Sequence, residues 1–336
     1  MLALAGYLLL AIGATGLVWI GADALEDSAN KLAIYYGVPA IVQGAIIAAV
    51  GSSMPELMTA VMAPILHDDF ELGLAVIIGS AIFNILVIPA LATLANPGGI
   101  EATPHLVFKE AQFYLIAVAV FLLILSLAVI YYPTAGEGLG GELTPLLAIC
   151  LLGLYGLYVF LQYEDTIEHE PIRSAVNINP VRTWATFIGG FVVILIGVEG
   201  LLRAAIGIGT ALNTPSFVWG LTIIAAATSL PDAFVSVRAA RQERSVTSIA
   251  NVFGSNVFDL LVAVPAGVLV AGVAVVDFEQ LTPLFAVLVG ATILLFTLLR
   301  TEYKLTATEA AILLGSYVLF IIWILGISIG LVAGPV

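Results

Sequence analysis

The sequence predicts an all-α membrane protein: ten transmembrane helices forming two inverted five-helix repeats, with discontinuous helices at the centre. Three observations carry this. Of 336 residues 61% are apolar and 10% charged, where a soluble domain has roughly 45–50% and about 25%. So few charges cannot cover a water-facing surface, and the outside must face lipid. The apolar residues gather into ten stretches, and a pattern of serine, proline and acid occurs twice, once in each half.

An apolar run of about 20 residues crosses the hydrocarbon core as a helix. The first, 2–22, ends in Ala22-Asp23-Ala24, which imitates a signal cleavage site, but no Lys or Arg precedes it, so it reads as a span. Spans 39–65 and 71–94 are interrupted by Pro, Gly and polar residues, the mark of helices that line something. Spans 110–132 and 144–162 are plain. A short acidic link, 163–182, follows, carrying Glu164, Asp165, Glu168 and Glu170. Beyond it 183–206 is plain, 216–240 and 246–272 are interrupted, and 280–299 and 308–332 are plain. Residues 1–162 thus form one repeat and 183–336 the other.

Lys and Arg accumulate in cytoplasmic loops. With both termini outside, nine of the ten basic residues lie inside: Lys31, Lys109, Arg173, Arg182, Arg238, Arg241, Arg244, Arg300 and Lys304. Arg203 is the exception, and Glu199 lies one turn away to pair with it. The outer loops are acidic: Asp68, Asp69 and Glu71; Glu137 and Glu142; Asp277 and Glu279. A net charge of −13 argues against nucleic-acid binding, which needs a basic surface, and suits cation handling or a high-salt habitat. The one cysteine, Cys150, rules out an intrachain disulfide framework.

Residues 21–56 align with 197–232 without a gap, matching Gly21 to Gly197, Pro39 to Pro215, Ser53 to Ser229, Pro55 to Pro231 and Glu56 to Asp232. One residue of slippage later, the stretch from Gly79 to Asn84 matches that from Gly254 to Asp259. Five spans per half is an odd number, so the second copy enters the membrane upside down. Such inverted repeats hold their substrate near the midplane, where the copies meet. Duplication for packing alone does not explain acids in register.

Glu56 and Asp232 fall at the centres of spans two and seven. A carboxylate there costs about 3 kcal/mol on insertion scales and persists only where it faces a cavity or a partner. With no Lys or Arg at that depth, the expected partner is a cation that comes and goes. The pairs Ser52/Glu56, Thr228/Asp232, Ser80/Asn84 and Ser255/Asp259 are each spaced i, i+4, which places a hydroxyl one turn from a carboxylate or amide. Pro55 and Pro231 release backbone carbonyls nearby. A set of hard oxygens suits calcium, whereas zinc or copper would want nitrogen or sulfur. His67, His105 and His169 are scattered and read as surface residues.

These two motif pairs resemble the alpha repeats of the sodium/calcium exchanger superfamily, in which each repeat supplies a Gly-[Thr/Ser]-Ser-x-Pro-[Glu/Asp] helix and a Gly-Ser-x-x-x-[Asn/Asp] helix. The resemblance implies that Glu56 and Asp232 are the central calcium ligands. It implies oxygens for sodium and calcium from Ser52, Ser53, Ser80, Thr228, Ser229 and Ser255, carbonyl ligands at Ala49 and Ala225, and Asn84 and Asp259 flanking the middle position. The second motif begins with Ala227 where the family usually has glycine. The Asn84/Asp259 pairing occurs in the potassium-dependent branch and in some potassium-independent prokaryotic members.

The expected activity is sodium-for-calcium antiport in the cell membrane, with calcium and sodium as transported ions, no cofactor and no required protein partner. The alternatives are potassium-dependent exchange, proton/calcium exchange and, from a different class, a calcium-permeable channel. An enzyme is not expected. An ATP-driven pump would need a nucleotide domain that the short loops cannot hold.

Overall fold

A computed structural model describes residues 2–36, 49–96, 98–134, 138–164 and 179–330, the side chains of 2, 49, 50 and 105–107 excepted. The first half comprises α1 (Leu2–Tyr35), α2 (Ala49–Ser52), α3 (Met54–His67), α4 (Phe70–Leu86), α5 (Ile88–Ala95), α6 (Pro104–Tyr131) and α7 (Pro145–Glu164). The second comprises α8 (Pro180–Leu212), α9 (Ser216–Trp219), α10 (Ala225–Thr228), α11 (Leu230–Arg241), α12 (Ser245–Phe258), α13 (Val264–Ala271), α14 (Phe278–Arg300) and α15 (Ala307–Ser328). Single π-helical turns, Gly220–Ile224 and Asp259–Ala263, join α9 to α10 and α12 to α13.

Among the described residues eight helices are long and apolar enough to cross a membrane, and nine if the segment from α9 to α11, bent by 40°, is one span. The expected span 39–65 is present from Ala49 onward as α2 and α3; its first part, like 165–178 of the link, lies outside the described residues. The outer faces are apolar, with Leu9, Ile12, Leu319 and Ile322 all exposed, as a lipid-facing surface requires. The segments Phe70–Ala95 and Ser245–Ala271 are 94% and 83% buried over their most apolar windows, against 17–50% for the others. The helices carrying the second motif of each repeat therefore form the centre.

Helix α1 continues well past the expected 2–22. Its 34 residues rise about 51 Å, against a hydrocarbon core of about 30 Å. The extra turns are polar, with an Asp27–Lys31 ion pair one turn apart, and hydropathy registers only where a helix leaves the lipid. Helix α8 is similarly long, begun by Asn179, whose side chain accepts from the Arg182 N–H, and stopped at Asn213 in the left-handed conformation. Glu199 accepts from Arg203, as its spacing predicts, and is shared with His67 at 3.0 Å.

Helices α1 and α8 cross along a seam of small residues. A Cβ on Gly21 would stand 2.8 Å from the Gly190 carbonyl oxygen and 2.9 Å from the Ile194 nitrogen; one on Gly197 would stand 3.1 Å from the Ala14 oxygen and 2.9 Å from the Val18 nitrogen. Gly21 aligns with Gly197, Ala14 with Gly190 and Val18 with Ile194, so the same contact is made twice with the halves exchanged. Close approach of this kind is how helices associate in lipid, where no hydrophobic drive exists between them.

Four short strands were not foreseen. β1 (Ile100–Glu101) pairs antiparallel with β4 (Lys304–Leu305), and β2 (Gly140–Leu143) with β3 (Ala274–Asp277). Each pair joins a loop of one half to a loop of the other. Strands this short lack the alternating stretch by which sequence reveals them.

The seam yields a prediction. Gly197→Val should destabilise the protein by about 1–3 kcal/mol through overpacking, read as a fall in melting temperature in detergent. Gly16→Val on α1, where a Cβ meets nothing within 4 Å, is the control and should shift melting far less.

Candidate cation site

Pro55 and Pro231 have no N–H for the carbonyls of Gly51 and Ala227, and both helices break just before them. Ser53 (φ −92°, ψ 11°) and Ser229 (φ −79°, ψ −2°) form the two breaks, in nearly the same bridge-region conformation. Glu56 and Asp232 follow in the first turns of α3 and α11, near freed N–H groups that favour an anion. In α4, Gly79 lets the helix lie against the second half: a Cβ there would be 2.7 Å from that of Ala225. The other break falls within the second motif. Pro265 cannot donate to the Leu261 carbonyl, the ladder shifts to a π-turn, and Val264 donates its N–H to the Asp259 carbonyl. Single π-turns recur at functional positions.

The sequence-predicted polar residues come together. Ser52, Ser53, Glu56, Ser80, Asn84, Thr228, Ser229, Asp232, Ser255 and Asp259 all have 0% exposure. Ser80 donates to Glu56 Oε1 at 3.1 Å, and its repeat mate Ser255 donates to Asp232 Oδ1 at 2.9 Å. Ser229 reaches Glu56 Oε1 at 3.4 Å and also bonds Ser80. Asn84 Nδ2 donates to Asp232 Oδ2 at 3.3 Å. The i, i+4 pairing expected within one helix is replaced by pairing between halves: Ser52 stands beside Asp232 and Thr228 beside Glu56. The breaks at Ser53 and Ser229 are the reason, because each hydroxyl sits on the short helix before a break and its acid on the helix after it.

Eight buried side-chain oxygens among the described residues have no hydrogen-bond partner, and five belong to this cluster: Ser53 Oγ, Glu56 Oε2, Asn84 Oδ1 and both oxygens of Asp259. Buried polar atoms are ordinarily paired. Four of these five can only accept. Among the described residues no three His, Cys, Asp or Glu side chains gather as a metal cluster, so the cage consists of separated acids interleaved with neutral oxygens. The Ala225 carbonyl accepts from the Ser229 N–H at 3.1 Å and from Thr228 Oγ1 at 3.2 Å, which occupies both lone pairs. Ala49 is the first residue of α2, and its side chain is not described. His67 lies at the far end of α3 on Glu199, away from the cage. His105 lies in the first turn of α6 with its side chain outside what is described, and His169 lies outside the described residues.

Sequence reasoning missed Asn256. Its amide donates to the Ala81 carbonyl at 3.1 Å while its oxygen accepts from Asn84 at 3.0 Å, stapling α12 to α4 at the level of the acids. Its mate is Ala81, so the repeat comparison passed over it; an amide inside a buried helix was the available signal. Asn251 was likewise missed. It donates to Ser236 at 3.1 Å and reaches the Asp232 carbonyl at 3.5 Å.

A multi-pass helical membrane body built round buried acids and hydroxyls fits a membrane transporter. The chain belongs to the sodium/calcium exchanger protein family, whose model matches residues 6–164 and 182–326. It is similar to an uncharacterized membrane protein of Methanocaldococcus jannaschii, 27% identical over 318 residues covering 94% of this chain and 96% of that one. It is also similar to the sodium/calcium exchanger MaX1 of Methanosarcina acetivorans, 25% identical over 94% of this chain and 97% of the relative. Human sodium/potassium/calcium exchanger 5 is similar only locally, 47% identical over 53 residues, which is 16% of this chain and 11% of that protein. Among solved structures, the sodium–calcium exchanger NCX_Mj soaked with sodium and strontium superposes with a TM-score of 0.63 at 24% identity, covering 96% of this chain and 98% of that one.

The amide staple can be tested. Asn256→Ala should cost about 1–3 kcal/mol by leaving buried groups on α4 and Asn84 unpaired, seen as a lower melting temperature. Asn256→Gln should recover little, since the longer side chain displaces both bonds.

Proposed function

We propose that this family member is a secondary active antiporter that exchanges sodium for calcium by alternating access, with Glu56 and Asp232 as the central ligands of a midplane site. The observation that supports this most is the convergence of acceptor oxygens, unpaired by hydrogen-bond geometry, at Glu56, Asn84 and Asp259. A cation satisfies such a set, and an anionic solute does not. Oxygens, some of them anionic, suit calcium and sodium. If ionised, Glu56, Asp232 and Asp259 carry three negative charges, which three sodium ions neutralise while one calcium leaves one over. Competition for one site then produces antiport without a second pathway.

The inverted arrangement gains support from contacts made twice with the halves exchanged: Ser80 on Glu56 and Ser255 on Asp232, and the two glycine contacts of α1 and α8. The strand pairs agree with ten spans as well. They join the loop after span three to that after span nine, and the loop after span four to that after span eight, so an even number of crossings separates the members of each pair. We place both termini outside, on the distribution of Lys and Arg.

In proteoliposomes the wild type should take up calcium against an imposed sodium gradient, and Glu56→Gln and Asp232→Asn should each lower that uptake at least 100-fold while remaining folded. Running the assay with and without potassium separates the potassium-dependent branch. Calcium current without any counter-ion gradient would instead identify a channel, and normal exchange in either variant would remove these acids from the site.

Orientation has its own test. In a Cys150→Ser background, Asp68→Cys and Gln242→Cys lie at exposed positions and should react with an impermeant thiol reagent from opposite sides, Asp68→Cys from outside. Labelling from the same side would contradict both the topology and the inverted repeat.

A further inference from the structure

Between α1, α11 and the start of α12 lies a cavity of about 420 Å³, walled by Asp23, Glu26 and Asp27 of α1, Phe234 and Arg238 of α11, and Arg244 just before α12. Asp23, Asp27, Arg238 and Arg244 are exposed, so the cavity opens at the surface, whereas Glu26 is half-buried. The stem of Glu26 rests on the first motif: a Cβ on Gly51 would stand 3.4 Å from its Cα, Cβ and Cγ. The next residue, Ser52, stands beside Asp232. Glu26 therefore lies between the open cavity and the buried cage, and the charges that bear on it are Asp232, Asp23, Arg238 and Asp27. Asp27 is held by Lys31, but among the described residues neither Glu26 nor Arg238 belongs to an ion pair.

The inverted repeat supplies an internal comparison. In the register that aligns 21–56 with 197–232, Glu26 corresponds to Leu202, Gly51 to Ala227, Phe234 to Met58 and Arg238 to Met62. All four mates belong to or pack on one apolar cluster, and Leu202 is fully buried. Where one face of the molecule has a charged, open approach, the other has packed leucine and methionine. Packing common to both halves does not account for that difference, because the mates pack without charge. A carboxylate where leucine serves in the mate has another use. The departure of Ala227 from Gly51 fits the same asymmetry, since a methyl group at residue 51 would press on the Glu26 stem.

We propose that Glu26 is a further cation-binding residue of the exchanger: it captures calcium arriving through this cavity from the cytoplasm, one step before Asp232. The inference rests on the reading of Asp232 as an ion ligand and of this Arg-rich face as the inner one. A divalent ion feels the field of one carboxylate twice as strongly as a monovalent ion, so Glu26 acts on calcium more than on sodium. Arg238, on the opposite wall, opposes that field. The apolar outer mate leaves calcium capture from outside independent of Glu26.

The test is the initial rate of calcium uptake into sodium-loaded membrane vesicles from cells expressing wild type, Glu26→Gln or Arg238→Gln, prepared everted, so that the bath meets the cytoplasmic face, and right-side-out. Glu26→Gln should raise the KM for calcium about 10-fold in everted vesicles, the lower end of what charge focusing in a cleft achieves, and leave it unchanged in right-side-out vesicles. Arg238→Gln should lower the KM in everted vesicles. An unchanged KM for Glu26→Gln in everted vesicles, or an equal rise on both faces with a lowered melting temperature, would overturn the proposal. So would a rise in KM for Arg238→Gln matching that for Glu26→Gln, which would make the two residues a structural pair. A wild type without sodium-driven calcium uptake in either preparation would overturn the antiporter reading itself, and this inference with it.

Discussion

Glu56 and Asp232 are fully buried in an apolar protein, and among the described residues neither belongs to an ion pair. Much of the remaining structure follows from that constraint. Isolated ionised carboxylates away from water are prohibitively unfavourable, so each must be wrapped in donors without being neutralised by a fixed base. Serine and asparagine meet the requirement, because they hydrogen-bond to an anion yet leave its charge available. Their placement requires broken helices, which is where Pro55 and Pro231 enter, and close helix contact, which Gly79 permits. A lysine at this depth would stabilise the fold more simply, but it would occupy the place of a mobile cation.

The donors also tie the two halves together. Ser229 of the second half reaches Glu56 of the first, and Asn84 of the first reaches Asp232 of the second. Asn256 adds a neutral link between α12 and α4. A change in the position of one half thus alters the coordination of both acids together. That coupling suits the alternating exposure proposed above, and it resides in hydrogen bonds to carboxylates worth about 1.5–3 kcal/mol each.

Composition made the membrane environment legible, and the doubled motif located the buried polar cluster, since acids and prolines in register inside apolar helices have few other uses. Other features were hidden for physical reasons. Hydropathy measures contact with lipid, so it ended α1 at residue 22 although the helix continues to Tyr35. The i, i+4 rule assumes an unbroken helix, so it paired Ser52 with Glu56 instead of Asp232. Comparing repeats finds only what is duplicated, so it passed over Asn256, matched by Ala81. The strands owe their existence to loops of different halves meeting in space, and no local pattern announces that.

The division of labour between the halves bears on how the protein is made. Glu56 is held in part by Ser229, which lies 173 residues further along the chain. At a synthesis rate of about 5–20 residues per second, the first half spends roughly 10–35 s in the bilayer before that serine has left the ribosome. During this interval Glu56 has Ser80 from its own half but not the hydroxyls of the second. The nascent membrane segment must tolerate an incompletely satisfied acid, by taking up a proton, by drawing in water, or by remaining beside the insertion machinery until its counterpart arrives. A design suited to the finished transporter therefore places its most exacting demand on the half-made chain.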